Sequence, residues 1–380
     1  MSPRWHLLHP RLRRTMGPKV PWIGALIAAL GLLWGPGSVA WAQSVDCSQH
    51  RESMLTLFEG RYSLQIAAFA QLQYIAGVQE GSLVRSDFSV PRARVCASGH
   101  AAHPTLRYRL MIGRSIQREL EVVDAFAEWQ PSAAFTLRLG RFKLPIFHEW
   151  IESARPLATL DRSLAARALL PGRDYGLRIA GRLARRRIEY LLGIWNGDGD
   201  TATRAADTYP ALAARLGVQA LGTAQSGAVD FTGVRPALTL EVGAMWNRSQ
   251  PAAGSGSPVT ALVRDDVLVN GTLLFRAFHF DASLEYLGLL RWEAGGTAHT
   301  HGGTLRMTQF FPALRSSLSA RGSLLLLRGQ TAVDQIESEV DWGLYLDRHR
   351  AKLLFRYALL VSSTASVEHQ LGTLVQIAVY

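Results

Sequence analysis

From about residue 61 onward, most of the chain alternates apolar with polar or small residues. A period of two residues is typical of β-strands that have one apolar face. The clearest case is residues 61–74, whose apolar face begins and ends with tyrosine. That face consists of Tyr62, Leu64, Ile66, Ala68, Ala70, Leu72 and Tyr74. An apolar stripe with aromatic residues at both ends is typical of a strand that crosses a lipid bilayer between two aromatic girdles.

Sixteen segments show this pattern. They lie near residues 61–74, 88–97, 105–113, 120–129, 134–142, 176–183, 188–196, 209–220, 236–247, 267–277, 278–288, 300–311, 314–327, 338–347, 351–360 and 369–379. Their connections mostly alternate between short and long, as expected for periplasmic turns and outer loops. The expected long connections are 75–87, 143–175, 197–208, 248–266, 289–299, 328–337 and 361–368, whereas 221–235 breaks the alternation. The sequence therefore predicts an all-β, 16-stranded antiparallel transmembrane β-barrel over residues 61–380.

A soluble exported sandwich would also show alternating strands. Two features favour the membrane barrel. The apolar faces carry aromatic residues near the strand ends, and the opposite faces carry charge in strand after strand. A sandwich also rarely needs so many strands of this length.

The charged faces are predicted to line the lumen. An Arg or Lys that faced lipid at the bilayer midplane would cost about 2–4 kcal/mol, and several of them would exceed the roughly 5–15 kcal/mol that stabilise most domains. The predicted pore-lining arginines of the early strands are Arg92, Arg94, Arg107, Arg109, Arg138, Arg178 and Arg182. The other predicted lumen residues are Arg215, Arg276, Arg306, Arg315, Arg321, Lys352, Arg356, Asp124, Glu128, Glu189, Glu241, Asp281, Glu285, Glu339 and Asp341. Glu121 and Arg141 fall in the outward phase, so we expect them at strand ends in the headgroup zone.

The early arginines would form a column on one wall. Such a column attracts anions, and the guanidinium fork can bond two phosphate oxygens at once. The alternative is that arginines and acids pair across the lumen and only hold the wall together.

The first 42 residues read as a secretory signal peptide. A basic start is followed by the short apolar run of residues 22–34 and by the small-residue cleavage site at residues 40–42. Residues 43–60 are then a short periplasmic segment. Part of the formal charge of +11 lies in the leader, and the exported remainder stays basic. Cys47 and Cys96 could pair in an oxidising compartment.

One stretch is more specific than the rest. Residues 137–147, reading LRLGRFKLPIF, resemble the bacterial phosphate-selective porin O and P family. Further matching pieces stand in the same order as in that family. They are DAFAEW at 124–129, Asp161-Arg162-Ser163, PGRDYG at 171–176, YLLGIWNGDG at 190–199 and the hairpin at 343–357. The ordered set carries the resemblance.

The resemblance implies a barrel that is usually trimeric and a third outer loop that folds inward. Residues 143–175 would be this constriction loop, with its charges at Lys143, Arg155, Arg162, Arg167, Arg173, Glu149, Glu152, Asp161 and Asp174. It also implies a passive channel for small anions such as phosphate, with no cofactor and no catalysis. Residues 370–377 and the terminal Tyr380 resemble the signal read by the outer-membrane assembly machinery, although a simple glycine-containing strand is the alternative.

Other functions are less well supported by the sequence. Nucleotide-binding and redox motifs are missing, and export argues against a nucleic-acid partner. His299 and His301 share one strand face but have no further metal ligand in sight, so they read as a solvated pair. A structural or adhesive barrel with a plugged lumen, a barrel without phosphate selectivity, and an outer-membrane hydrolase remain as alternatives.

Overall fold

A computed structural model describes residues 55–115, 118–169, 171–197, 199, 209–222, 227–249, 264–293, 296–328, 333–363 and 365–379. The predicted signal peptide, Cys47 and Tyr380 lie outside these residues. Cys96 is disulfide-bonded, and it packs inside the barrel beside Met111 and Val123. Within the described part of the chain, no helix is long and apolar enough to cross a membrane.

Strands dominate the described residues. They are β1 (Leu55–Leu57), β2 (Tyr62–Gln79), β3 (Ser82–Ala101), β4 (His103–Ser115), β5 (Arg118–Ser132), β6 (Phe135–Lys143), β7 (Arg173–Leu183), β8 (Ile188–Trp195), β9 (Ala211–Leu221), β10 (Ala237–Ser249), β11 (Arg264–Ala277), β12 (Phe280–Glu293), β13 (Gly296–Phe311), β14 (Ser316–Arg328), β15 (Val333–Asp347), β16 (Ala351–Ser362) and β17 (Ala365–Val379). The helices are α1 (His148–Ile151) and α2 (Leu164–Leu169), and Pro312–Leu314 form a 3₁₀ turn.

Strands β2 to β17 form a closed antiparallel barrel. Each strand pairs with its neighbour in the chain, and β17 returns to pair with β2 from Glu368↔Gln79 to Val379↔Ala68. The short β1 pairs with the start of β2. Closure removes the unpaired edges that an open sheet would expose. The 16-stranded antiparallel barrel predicted from the sequence is confirmed.

The two faces of the strands follow the predicted alternation. On β2, Ile66 is 45% exposed and Leu72 55%, whereas Ala67 and Phe69 are buried. The same side-chain period holds on later strands, where Leu240 and Val242 face outward beside the buried Glu241. Apolar residues therefore cover the outside of the barrel, and polar residues line its interior.

The strands are longer than the hydrophobic pattern predicts. Residues 75–87 were expected to be an outer loop, but β2 and β3 continue to a turn at Glu80 and Gly81. The expected loops at 289–299, 328–337 and 361–368 are likewise largely strand. Backbone hydrogen bonds between neighbouring strands do not require an apolar face, so the strands continue after the apolar alternation ends.

Two predicted side-chain positions are wrong. Arg315 was assigned to the lumen, but it is exposed in the turn after the 3₁₀ segment, with a φ of +48°. Arg141 was expected in the headgroup zone, but it is only 4% exposed. Its Nε donates to the carbonyl oxygen of Val122 at 3.0 Å, and its NH2 lies 3.9 Å from Glu121. The two charges therefore lie near each other, with little exposure to solvent.

The described residues of two long connections pack against inward-facing side chains of the strands. Residues 144–172, here called the inner loop, join β6 to β7 and carry α1 and α2. Residues 222–236 join β9 to β10 at the opposite end, which also carries both termini of the described barrel and is called the terminal end. Both contain fully buried residues, among them Phe147 and Ala228.

Candidate pore constriction

The inner loop is attached to one side of the barrel by its backbone N–H groups. The carboxylate of Glu285 accepts hydrogen bonds from the backbone N–H of His148 at 2.6 Å and of Glu149 at 3.2 Å. Further along the loop, the backbone N–H of Leu160 donates to Asp341 at 3.0 Å. These carboxylates satisfy donors that a buried loop would otherwise leave unpaired.

These acids belong to a larger group on β10, β12 and β15, here called the acidic wall. It consists of Glu241, Asp281, Glu285, Glu337, Glu339 and Asp341, all nine-tenths or more buried. Arginines of the same region pair with it. Arg215 lies 2.5 Å from Glu241, Arg276 lies 2.5 Å from Asp281, and Arg321 lies 2.7 Å from Glu339. The carboxylates are thus held by the loop backbone, by guanidinium groups, or by both.

His148 connects the acidic wall to the loop itself. Its Nδ1 lies 2.9 Å from Glu241, and its Nε2 lies 3.5 Å from Glu152. Burial alone would lower the pKa of His148, but the charges of Glu241 and Glu152 raise it well above its usual value. Burial opposes ionisation of Glu152, yet His148 and then Arg306 lower the pKa of Glu152 to about 2. At neutral pH the histidine is therefore a cation between two anions.

The other side of the barrel carries the predicted arginine column. The arginine wall is defined as Arg92, Arg94, Arg107, Arg109, Arg138, Arg178 and Arg182, on β3, β4, β6 and β7. Glu128 on β5 accepts from Arg138 Nε at 2.8 Å and lies 3.4 Å from Arg178 NH2. The guanidinium of Arg138 also stacks 3.8 Å from the Phe126 ring centre. One carboxylate thus serves two guanidinium groups.

The loop and the arginine wall meet at Asp161. Arg92 donates to Asp161 at 2.6 Å and to Gln71 at 3.0 Å. Burial opposes the ionisation of Asp161, but Arg92 and Arg167 hold its pKa well below the usual range. Burial, and then the charge of Arg92, lower the pKa of Arg162 to about 9. Arg162 is therefore still largely charged at neutral pH, in the field of another guanidinium.

Three cations surround the indole of Trp150. Lys143 Nζ lies 5.0 Å from its ring centre, Arg162 Cζ lies 4.9 Å away and Arg173 Cζ lies 5.4 Å away. Lys143 also donates to the carbonyl oxygens of Trp150 at 2.9 Å and Glu152 at 2.8 Å. Carbonyl dipoles and an aromatic ring stabilise Lys143 and Arg162, whereas Arg173 also pairs with the predicted lumen residue Asp124 at 2.9 Å.

Not all predicted site residues lie together. Arg107 and Arg182 are half-buried, and Arg182 Nε lies 3.9 Å from Glu189. Arg155 is buried, and its carbonyl oxygen accepts from Lys352 at 2.8 Å. Asp174 accepts from the backbone N–H groups of Tyr175 at 2.7 Å and Gly197 at 2.6 Å. Its role is therefore to fix the loop after β8.

The sequence reasoning missed several residues of the site. Glu337 lies two residues before Glu339 in the same strand phase, so the alternation could have found it. It accepts from the backbone N–H of Leu164 at 2.9 Å and from Arg167 at 2.9 Å. Trp150 had no signal in the sequence, because the strand alternation does not show that Lys143, Arg162 and Arg173 surround an indole of the loop.

Metal ligands do not cluster in the described part of the chain. His301 was considered with His299 as a metal pair in an outer loop. Both lie on β13, and the Nδ1 of His301 is 2.8 Å from the hydroxyl of Tyr286, an exposed residue.

The residues that match a known family form consecutive strands of the barrel. Residues 61–233, which cover β2 to β9, match the family described as phosphate-selective porin O and P. The match covers eight of the sixteen barrel strands. The resemblance seen in the sequence is thereby confirmed, and the chain is an outer-membrane porin. No curated protein sequence matches it.

Solved outer-membrane barrels have the same fold. The channel DcaP of Acinetobacter baumannii is 10% identical, with a TM-score of 0.58, and the match covers 86% of this chain and 100% of that one. OmpT of Vibrio cholerae in a trimer form is 10% identical, with a TM-score of 0.57 over 84% and 99% of the two chains. OprB of Pseudomonas putida is 9% identical, with a TM-score of 0.56 over 84% and 95%. At these identities the similarity shows the fold alone.

Proposed function

We propose that this porin is a passive diffusion channel selective for small anions, with phosphate among its solutes. The proposal rests on a difference in how the charges of the acidic wall and of the arginine wall are paired. Carboxylates of the acidic wall are bonded to the inner loop and to nearby arginines. On the opposite side, the arginine wall and the loop cations around Trp150 outnumber the carboxylates they face.

The passage would run between the inner loop and the arginine wall. Loop residues such as Leu160 and Ala165 pack against strands of the other side: Leu160 lies with Leu354 and Leu374, and the Ala165 N–H donates to Ser323. The face of the loop near Arg92 and Arg162 is left beside the cationic strands. A positive potential in a low-dielectric channel raises the local anion concentration.

Phosphate suits this chemistry because a guanidinium can bond two of its oxygens. Arg92, Arg162 and Arg178 already take part in ion pairs or lie close to another guanidinium. An anion would therefore exchange with existing partners along the wall, which keeps binding weak at each site. Weak binding at several sites is what conduction requires.

The test is the reversal potential of the purified protein in a planar bilayer under a potassium chloride gradient. We expect the sign of an anion-selective channel, and a reduction of chloride current when phosphate is added. A cation-selective sign would overturn the proposal. Conductance near zero in a folded protein would favour a structural barrel instead.

The remaining features of the assembly are also proposals. From the family resemblance we expect a homotrimer that is inserted by the outer-membrane assembly machinery after removal of residues 1–42. Mass measurement of the mature protein locates the cleavage site, and cross-linking in detergent gives the oligomeric state. A monomer would contradict the expected trimer without affecting the proposed selectivity.

A further inference from the structure

The connection between β9 and β10 brings residues 227–236 against inward-facing side chains at the terminal end of the barrel. Its described part, residues 227–236, is here called the inserted segment. Ala228 is fully buried, and Val229 and Asp230 are nearly so. Backbone and side-chain contacts join this segment to strands on the side of the acidic wall and to the inner loop.

Phe231 anchors the segment in a socket of aromatic side chains. Its ring centre lies 4.9 Å from Phe310, 5.2 Å from Tyr345 and 4.9 Å from His349, each in an edge-to-face arrangement. Burial, and then the charges of Lys352 and Arg155, hold the pKa of His349 well below its usual value. The socket is therefore made of uncharged rings from β13, β15 and the turn after β15.

Asp230 fixes the backbone on either side of this anchor. Its carboxylate accepts from the backbone N–H groups of Thr232 at 3.0 Å, Gly233 at 3.0 Å and Val234 at 2.9 Å. It also accepts from the backbone N–H of His279, in the turn after β11, at 3.0 Å. Burial opposes ionisation of Asp230, but these donors hold its pKa below the usual range.

The inserted segment also contacts the inner loop. The backbone N–H of Gly227 donates to Glu152 Oε1 at 3.2 Å. A Cβ placed on Gly227 would lie 3.6 Å from Pro156 Cβ. Ala228 and Val229 belong to the same apolar cluster as Ala158 of the loop. Glu152 is the residue that also holds His148, so the contact reaches the attachment of α1.

We propose that residues 227–236 are a second constriction element that holds the inner loop in position from the terminal end of the pore. Phe231 is its anchor, and Gly227 and Ala228 are its contact with the loop. The segment fills the lumen beside β11 to β16 and leaves the arginine wall as the border of the path. This inference rests on the proposed channel but not on its anion selectivity.

The experiment compares single-channel conductance of the wild type with Phe231→Ala and Asp230→Ala. Phe231→Ala removes the ring from the aromatic socket, and Asp230→Ala removes the acceptor that holds the turn. Either change should weaken the hydrogen bond from Gly227 to Glu152 that supports the inner loop. We expect a larger conductance by roughly a factor of two or less, with more open-channel noise. Phe231→Leu keeps apolar volume in the socket and should return both quantities toward the wild type.

Phe311→Ala is the matched control, because Phe311 follows Phe310 on β13 but is 41% exposed on the outside of the barrel. It should leave conductance and noise unchanged. Heat-modifiable gel mobility identifies folded barrels, so only folded variants are compared. If folded Phe231→Ala and Asp230→Ala channels conduct like the wild type, the inference is wrong. If the wild type itself does not conduct, the proposed function fails instead.

Discussion

The arginine wall and the acidic wall both consist of buried ionisable side chains, but they use their charges differently. On the acidic wall, Glu285 and Asp341 accept from loop backbone N–H groups, and Glu339 pairs with Arg321. On the arginine wall, Glu128 serves both Arg138 and Arg178. The carboxylates of the acidic wall are therefore paired with the loop backbone or with arginines, whereas guanidinium groups outnumber carboxylates on the arginine wall.

This difference shows that the sign of a pore cannot be read by counting lumen residues. A carboxylate that accepts from backbone N–H groups keeps its formal charge, but oriented dipoles already stabilise that charge. Arg162 is the opposite case. After burial, the largest effect on its pKa comes from the positive charge of Arg92. The contacts of the inner loop therefore determine whether a wall charge is stabilised by backbone dipoles or lies beside a like charge.

The strongest test of the comparison removes charge beside the proposed passage. We expect Arg94→Gln, Arg109→Gln and Arg162→Gln together to lower the anion-to-cation permeability ratio by roughly tenfold, since each charge contributes on the order of 1 kcal/mol or less to a nearby hydrated ion. The reversal potential measures this ratio.

The matched control removes three exposed arginines, two near strand ends and one, Arg350, in the turn between β15 and β16. Arg85, Arg328 and Arg350 have side chains 44%, 45% and 36% exposed and each pairs with an aspartate. Replacing them with glutamine changes the formal charge equally, so it should hardly move the reversal potential. Equal effects of the two triple variants would show that net charge alone sets selectivity.

A second test acts on the acidic wall. Glu285→Ala leaves the N–H groups of His148 and Glu149 without their acceptor, at about 1–3 kcal/mol for each buried donor. We expect a lower melting temperature and a noisier channel whose selectivity is still anionic. Glu285→Gln keeps one acceptor oxygen and should lose less stability.

Loss of selectivity in Glu285→Ala, as large as in the arginine variant, would contradict the division between the walls. The melting temperature and the reversal potential must therefore be measured on the same preparation. A variant that melts earlier but keeps its reversal potential supports an anchoring role.

The sequence predicts the barrel well because lipid imposes a strict alternation on every strand. It fails at the strand ends, where Arg85 and Asp87 continue β3 before the predicted strand at 88–97. It also places Glu285 in the lumen without indicating what the residue does there. Its partners, the N–H groups of His148 and Glu149, lie 137 and 136 residues away in the sequence. Only the folded loop brings them together.

A smaller effect is expected from Trp150→Leu. The ring centre of the indole lies 5.0 Å from Lys143, 4.9 Å from Arg162 and 5.4 Å from Arg173, and each cation–π contact contributes roughly 0.5–2 kcal/mol. Leucine keeps the burial but removes this attraction, so the three cations should be held less firmly. We expect a fall of a few-fold in phosphate block of the chloride current. Trp150→Phe retains an aromatic face and should fall between the two.

The smallest expected effect is the pH dependence that His148 gives to stability. Glu241 and Glu152 raise its pKa in the folded protein above the unfolded value. Its stabilising contribution is therefore complete below the usual histidine pKa and is lost as pH rises through the raised folded-state pKa. Each unit of that difference corresponds to about 1.4 kcal/mol.

The measurement is the difference in melting temperature between the wild type and His148→Gln, taken from mildly acidic to alkaline pH. The difference should be largest at the acidic end and shrink as the imidazolium loses its proton. The other charged groups at this point are Arg215 beside Glu241, Arg306 beside Glu152 and Glu285, which accepts from the backbone N–H of His148. The comparison is therefore repeated in a Glu285→Gln background, where the two arginines keep their charge over this range. A difference that stays constant with pH would mean that His148 is held by packing, and that the link between the acidic wall and the inner loop does not depend on its charge.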